Sequence, residues 1–554
     1  MAFKRTLITA ALPYANGELH LGHVRSTYIP ADIHTRLLRF FGAKAIYISG
    51  SDEHGTPIAV NALKEGKHPK EYVDYYHRII ARDLKDACIE FDWFSRTTSE
   101  SHRKLTLEFF NTLKKRGYIY KERVQQFYCE RDKRPLPDRF VKGTCPYCGA
   151  EDQYSDYCEV CGRTFSSLEV KSPKCIICGE TPTIRDSDHY FFDLPAFEER
   201  LRKWIASGRV RINPEVKHYV MNWINEGLKA WDITRDMDWG VPIPGERNKV
   251  LYVWFDAPIH YVTATKEWCE FNNENWEDYW KSDETKIIHF IGKDIIYHHC
   301  LFWPAMLEGS GYSVPDAIIA SGTMKVEGHV FSKSRGYVVY VEEDYLANGL
   351  DPDALRYYIV SYSGHTRDLD FNWSTYGEKV NKELVGSLGN FSYRSLLFAH
   401  RSYGSVPMGA VDPEARRQVE ETIETIKEGL DEYEFKKICD AFLGLADYGN
   451  RYIQSHEPWK LVKESPEEAD EVIYNCVWLT KAIAVLMEPV LPFKAEKVLK
   501  LLGLPPNQPL EQALAPLDVG SELGKPEPLF RQVPDDEIEA LEEAMVIRIT
   551  RAKG

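Results

Sequence analysis

Residues 6–12 read TLITAAL and residues 45–52 read AIYISGSD, two short β-branched, apolar runs. Runs of that kind, bounded by turn signals, mark strands covered on both faces. Between them lie the turn PYANGELHLGH and a helical pattern from about Val24 to Phe41, stopped by Gly42. Strand, helix, strand is a βαβ unit, and it constrains the chain to a parallel, doubly wound α/β sheet. Strand-like runs return at 249–257 (KVLYVWFDA) and 286–294 (KIIHFIGKD), which are predicted to complete the same sheet. A third, at 316–322 (DAIIASG), precedes a short polar loop.

The pattern breaks near residue 117. From there to about 185 the chain is rich in Cys, Gly, Pro and Asp and poor in long apolar runs. A segment this size has little core of its own and is read as an insertion held by metal. Seven of the 12 cysteines lie between Cys129 and Cys178. Cys145-x2-Cys148 is followed, after nine residues, by Cys158-x2-Cys161, with Gly149 and Gly162 directly after the pairs. Four thiolates at this spacing close a tetrahedron around a structural zinc ion, and the glycines suit the tight turn of a knuckle. A redox pair would need a thioredoxin-like context, which this segment lacks. Cys129, Asp132, Cys175 and Cys178 form a candidate second site, in which Asp132 is an unusual fourth ligand.

After about 376 long helical patterns dominate. Val380, Leu384, Leu388 and Phe391 are spaced i, i+4, i+8, i+11, as one buried helix face requires. Prolines 458, 489 and 492 punctuate a separate helical bundle, and the tail after 505 is Pro-rich and acidic before one more helical stretch. The net charge of −15 argues against a chain that binds nucleic acid over its whole surface, but leaves room for a local basic face. No stretch approaches the ~18 apolar residues of a membrane span, and the N-terminus is unlike a signal peptide. The expected location is cytoplasmic, and the expected state a monomer.

His20-Leu21-Gly22-His23 falls between a buried strand and a helix N-terminus, where backbone N–H groups and the helix dipole favour an anion. Two imidazoles can donate to phosphate oxygens there, and Gly22 lets a base or ribose approach the backbone. The same four residues alone suit a plain turn, and His-x-x-His is also a metal-ligand spacing. About 300 residues later comes Phe331-Ser332-Lys333-Ser334-Arg335-Gly336, a polar loop whose lysine can stabilise charge on a transferring phosphate. The chain has no Gly-x4-Gly-Lys-[Ser/Thr] loop, which excludes a P-loop nucleotide site.

Together these motifs resemble the paired signatures of class I aminoacyl-tRNA synthetases. The longer context is similar to the methionyl-tRNA synthetase family over roughly residues 6–460: ALPYANGELHLGH, DEHGTP, LPDRFVKGTCPYCG, CEVCG, YVWFDAPI, HFIGKDI, LFWPAML and LRYY. The family's loop usually reads Lys-Met-Ser-Lys-Ser. Here Val330 replaces the first lysine, so the phosphate role falls on Lys333, with Lys325 a candidate to compensate.

The resemblance implies a Rossmann-like catalytic domain in two halves (1–116 and 231–322), a connective zinc-binding insertion (117–230), a stem-contact region with the FSKS loop (323–375) and an all-α anticodon-binding domain with C-terminal tail (376–554). It implies an ATP site at His20, Gly22, His23, Gly292, Asp294 and Lys333, with Mg2+ accompanying ATP. Catalysis would rest on His20, His23 and Lys333. A methionine pocket is implied at Leu12, Tyr14, Asp52, Trp254, Pro258, Tyr261, Ile295 and His299, with Asp52 facing the substrate ammonium. Trp254 and Tyr261 are expected at strand ends. Asn390, Arg394 and Trp459 would recognise the anticodon of tRNA(Met). Leucyl, isoleucyl and valyl relatives carry large editing insertions and cysteinyl enzymes hold zinc in the active site, so both fit less well. A tRNA-binding relative without catalysis is the other alternative, suggested only by the altered loop.

Overall fold

The computed structural model describes residues 3–158, 160, 161, 163, 165–332 and 335–553. Gly162 and Lys333 therefore lie outside the described residues. Eight strands carry the catalytic half: β1 (Arg5–Ala10), β2 (Ala45–Ser51), β3 (Trp93–Arg96), β4 (Ile119–Cys129), β5 (Thr183–Phe192), β6 (Arg211–Ile212), β7 (Thr285–Ile291) and β8 (Ala317–Ala320). Six of them form one sheet in the order β6-β8-β7-β1-β2-β3. Every pairing in that sheet is parallel.

The near-continuous apolar reading of β1 and β7 follows from cover on both faces. With a side-chain period of two, Ile8, Ala10, Ile288 and Phe290 enter one core, and Leu7, Ile287 and Ile291 enter the other. The first core contains helix α1 (Ile29–Phe40) and runs on without a break into the C-terminal helices. The second holds α2 (Glu100–Lys115), α3 (His260–Asn272) and α4 (Trp303–Ser310). Each fully buried Leu or Ile contributes ~1.5–3 kcal/mol.

The 249–257 run does not join this sheet. Only Val250–Leu251 is extended, and it pairs antiparallel with Thr234–Arg235. Val253–Asp256 and Ala257–Ile259 are helical turns. A short apolar, aromatic run serves a buried strand or a buried turn of helix equally well. Here Pro258, at an N-terminal helical position, favours the turn. Two sheet strands escaped the sequence reading. Trp93–Arg96 is half-exposed and Arg211–Ile212 has two residues, so neither shows a long apolar run.

The insertion begins as a long antiparallel ribbon, β4 against β5, in register from Ile119↔Phe192 to Tyr128↔Thr183. The cysteine segment sits on the far end of that ribbon. Arg211–Ile212, within the span read as insertion, is already the edge of the main sheet.

Beyond β8 a small sheet holds β9 (Met324–Val326), β10 (His329–Val330) and β11 (Leu369–Phe371). The helical part includes α5 (Asn390–Ser402), α6 (Pro413–Glu432), α7 (Phe435–His456), α8 (Pro458–Glu464), α9 (Pro466–Met487) and α10 (Asp535–Lys553). Val380, Leu384, Leu388 and Phe391 are all buried, as their spacing predicts. α9 is buried on all sides from Val472 to Met487, the mark of a helix at the centre of a bundle. Arg356, on the helix Pro352–Ser361, is fully buried where the two halves meet. It donates to Asp32 of α1 at 2.7 Å and to the carbonyls of Cys88, Pro489 and Val490 at 2.7, 3.0 and 2.9 Å.

Candidate active site

β1 and β7 are neighbours, and the strand order reverses between them, so their carboxyl ends open a crevice at the switch point. The chain leaving β1 forms the His20 turn; the chain leaving β7 forms Gly292–Ile295. His20 is extended and pairs with Tyr340. On either side of it Leu21 N–H donates to Val339 O at 2.9 Å, and Val341 N–H donates to Leu19 O at 3.0 Å. The rings of His20 and His23 stack with centroids 3.5 Å apart, and Phe331 lies against His20 at 4.0 Å. The two sequence motifs thus meet in space. A Cβ on Gly22 would come within 3.0 Å of His20 Nδ1, so the space over the glycine belongs to the His20 ring.

Next to this contact is a cavity of about 440 Å3. Leu12, Tyr14, Asp52, Trp254, Pro258, Tyr261, Ile295 and His299 all line it, together with His23, Gly292 and Asp294. Trp254 and Tyr261 reach it from helical segments, not from strand ends as expected, because the 253–272 stretch winds into helix over the end of the sheet. Trp254 lies flat on His298, centroids 3.9 Å apart. Tyr261 Oη and His299 Nε2 are 2.9 Å apart, and His299 Nδ1 is 3.1 Å from Ile295 O. A neutral ring that donates through Nδ1 to a carbonyl accepts from the tyrosine through Nε2. Burial agrees, holding the His299 imidazole at about 4.

Burial, and then the charge of Asp256, pushes the Asp52 carboxyl well above the usual carboxylate range. Burial likewise raises Asp294. Asp256 in turn pairs with His54 at 2.6 Å, and the His54 carbonyl accepts from Tyr14 Oη at 2.5 Å. A chain of hydrogen-bonded polar groups thus stands behind the pocket. Sequence reading missed Asp138, Arg139 and Asp156, which line the cavity from the insertion. Asp138 binds Arg235 at 2.8 Å, and Arg235 covers the ring of Tyr252, another lining residue, at 3.9 Å. The segment LPDRF, noted for its resemblance, was the available signal.

Val330, where the family usually has lysine, is exposed on β10. Its register partner across the hairpin is Lys325, whose ammonium is 3.9 Å from Asp368. Cross-strand partners share a face, so Lys325 stands beside the place the missing lysine would occupy.

In the insertion, Cys145, Cys148, Cys158 and Cys161 bring their sulfurs within 4.8 Å of one another. Cys145–Cys161 is 3.9 Å and Cys148–Cys158 is 3.6 Å. Zn–S bonds of ~2.3 Å in a tetrahedron require edges of about 3.8 Å, so the cage fits zinc. Cys129, Asp132, Cys175 and Cys178 form a second cluster of the same compactness, with Cys129–Cys178 at 3.4 Å and Asp132 3.1 and 3.3 Å from Cys129 and Cys175. Gly149 and Gly179 each have φ of 75° just after a Cys-x2-Cys pair. Lys133, after Cys129-x2-Asp132, has φ of 51°. Cys129–Lys133 is therefore a knuckle in outline, with Asp132 in the place of cysteine and Lys133 in the place of glycine.

In the bundle, Arg394 on α5 stands over the Trp459 ring on α8 at 5.9 Å. Asn390, one turn before Arg394, donates to Asn450 at 3.1 Å. Two of the residues expected to act together share α5, and the third, Trp459, comes to them from α8, some 65 positions later in sequence.

A six-stranded parallel sheet with a His-x-Gly-His turn at its switch point, and Phe331 of the second signature packed on that turn, is the arrangement of a class I aminoacyl-tRNA synthetase. The family model for class I tRNA synthetases (M) matches residues 6–396, and the anticodon binding domain of methionyl tRNA ligase matches residues 405–546. A methionine–tRNA ligase of Methanosarcina acetivorans is 46% identical over 100% of this chain and 77% of its own length. One of Methanopyrus kandleri is 46% identical over 97% of this chain and 81% of its own. The solved Mycobacterium tuberculosis methionyl-tRNA synthetase in complex with methionyl-adenylate superposes with a TM-score of 0.79 at 27% identity, covering 95% of this chain and 99% of that one. The chain belongs to the methionyl-tRNA synthetase family. Among the described residues no helix is long and apolar enough to cross a membrane.

Proposed function

We propose that the chain is a methionine–tRNA ligase that forms methionyl-adenylate from methionine and ATP and then charges tRNA(Met), initiator tRNA included. The observation that carries the reading is the meeting of His20, His23 and Phe331 beside a cavity floored by Asp52 and Tyr261. The methionine carboxylate attacks the α-phosphate in line, and pyrophosphate leaves. His20, His23 and Lys333 donate to the pentavalent phosphate and the departing oxygens, so the protein supplies position and charge and no covalent nucleophile. Gly292 and Asp294 border the nucleotide. Mg2+ bound with ATP would neutralise part of the phosphate charge. The terminal ribose of tRNA then attacks the adenylate carbonyl, and AMP leaves.

Leu12, Trp254, Pro258, Tyr261 and Ile295 would hold the thioether, which packs well on aromatic and aliphatic faces. A neutral His299, accepting from Tyr261, offers the sulfur no charge. An ammonium against Asp52 reverses the effect of burial and ionises the carboxyl, because a nearby cation favours the anionic form. The four-cysteine cage would hold a structural zinc, and the Asp132 cluster a second. Zinc there would supply folding energy that the insertion's small core cannot. Arg394, Asn390 and Trp459 would stack on and read an unpaired anticodon base. The reading extends to a cytoplasmic monomer with the five-part division given above.

The test is methionine-dependent ATP–pyrophosphate exchange, with metal analysis on the same sample. His23→Ala should depress exchange by orders of magnitude while circular dichroism and thermal midpoint stay unchanged. Exchange that prefers another amino acid, or none from the folded wild type, would overturn the reading.

A further inference from the structure

The segment that leaves the Phe-Ser-Lys-Ser loop is gripped from two sides. On the inner side Val339 and Val341 bond to Leu21 and Leu19, and Tyr340 pairs with His20. On the outer side lies α10, near the end of the chain. A Cβ on Gly336 would sit 2.8 Å from Ile549 Cα, so the helix backbone touches the loop's exit directly. Arg548 of α10 donates to both carboxylate oxygens of Asp344 at 2.5 Å, to Glu343 at 3.0 Å and to the Val338 carbonyl at 3.2 Å. Asp344 also accepts from the Tyr340 N–H at 2.6 Å. A continuous chain of contacts therefore runs from Arg548 through Asp344 and Tyr340 to His20.

We propose that Arg548 is a positioning residue for the phosphate end of the active site, pinning the 338–344 strap so that the His20 turn and the Phe331 arm meet in register. The inference rests on the ATP-dependent reading above. Arg548 is outside the cavity and touches no part of it, so its effect is transmitted through the strap. A bidentate arginine–carboxylate pair fixes direction as well as distance, which a lysine cannot reproduce. Helix α10 lies at the end of the bundle, so the latch also joins the tRNA-facing half of the protein to the nucleotide site.

The experiment compares pyrophosphate exchange in the full chain for wild type, Arg548→Ala, Arg548→Lys, Asp344→Asn and Arg531→Ala. Arg531 binds Glu537 in the first turn of the same helix, at 2.5 and 2.9 Å, and serves as the control for loosening α10 without touching the strap. Arg548→Ala and Asp344→Asn should lower kcat/KM for ATP at least tenfold, with KM for methionine within twofold of wild type. Arg548→Lys should recover part of the loss, and Arg531→Ala should leave the ATP constants unchanged. Wild-type ATP constants in Arg548→Ala overturn the proposal. So does an equal loss for both substrates, or an equal loss in Arg531→Ala. A wild type without methionine-dependent exchange would instead sink the underlying reading.

Discussion

The ring of Phe331 rests on the ring of His20, centroids 4.0 Å apart, and brings two segments about three hundred positions apart into contact beside the crevice. Aromatic pairs of this kind are worth ~0.5–1.5 kcal/mol beyond their area. Phe331→Ala should therefore slow pyrophosphate exchange by up to about tenfold, with the change in KM for ATP and little in KM for methionine. Unchanged ATP kinetics would mean the ring packs there without consequence for the nucleotide.

His34 carries a different kind of test. It is fully buried among Phe290, Tyr433 and Phe435, and neither ring nitrogen has a hydrogen-bond partner among the described residues. Burial lowers its imidazole to about 3, against an unfolded value of ~6.5. Between those values the unfolded chain binds a proton that the native chain refuses. The protonation-linked cost of His34 thus fades above pH 6.5 and grows as pH falls, by up to ~1.4 kcal/mol per unit. In urea titrations, His34→Phe should gain on wild type by about 1 kcal/mol between pH 6 and pH 5. Parallel pH profiles would show that His34 is protonated in the native protein.

Much of this was legible in the chain, and the exceptions share a cause. The cores of β1, β2 and β7 announce themselves because residues such as Ile8, Ile48 and Ile288 are covered on both faces. The cysteine pairs do so because a metal cage needs fixed spacing. Trp254 and Tyr261 were placed on strand ends because an apolar, aromatic run carries no period in so few residues; only the packing over the sheet decides that it winds. Asp138 and Asp156 reach the cavity from a separate lobe of the chain; the resemblance of LPDRF signals the first, nothing signals the second, and no local periodicity contains the proximity of either. Arg548 is silent in sequence for the same reason, since its partners lie about two hundred positions earlier.

The two cysteine cages separate by substitution. Wild type is expected to hold two zinc ions per chain, and Asp132→Ala one, measured by elemental analysis after dialysis. Asp132→Cys should keep both and withstand more chelator, because a thiolate is a softer zinc ligand than a carboxylate. One zinc in wild type, unaffected by Asp132→Ala, would assign the Asp132 cluster a purely hydrogen-bonded role.

Trp459, half-buried and with Arg394 held over its ring, belongs to the bundle's candidate RNA surface. Stacking of a base on an aromatic ring is worth ~1–3 kcal/mol. Trp459→Ala should raise KM for tRNA in the charging assay roughly 5- to 150-fold, while exchange in the absence of tRNA stays at the wild-type rate. Loss of exchange as well would place the residue in the fold instead.

Arg356 gives the boundary between the sheet and the bundle an unusual character. Its guanidinium has bonding partners from α1, from the loop at Cys88 and from the turn at Pro489 and Val490, and it has no contact with solvent. Prising the two halves apart would strand a cation beside a carboxylate and three carbonyl oxygens before water could reach them, so there is no cheap intermediate opening. The seam is built as a weld and not a hinge.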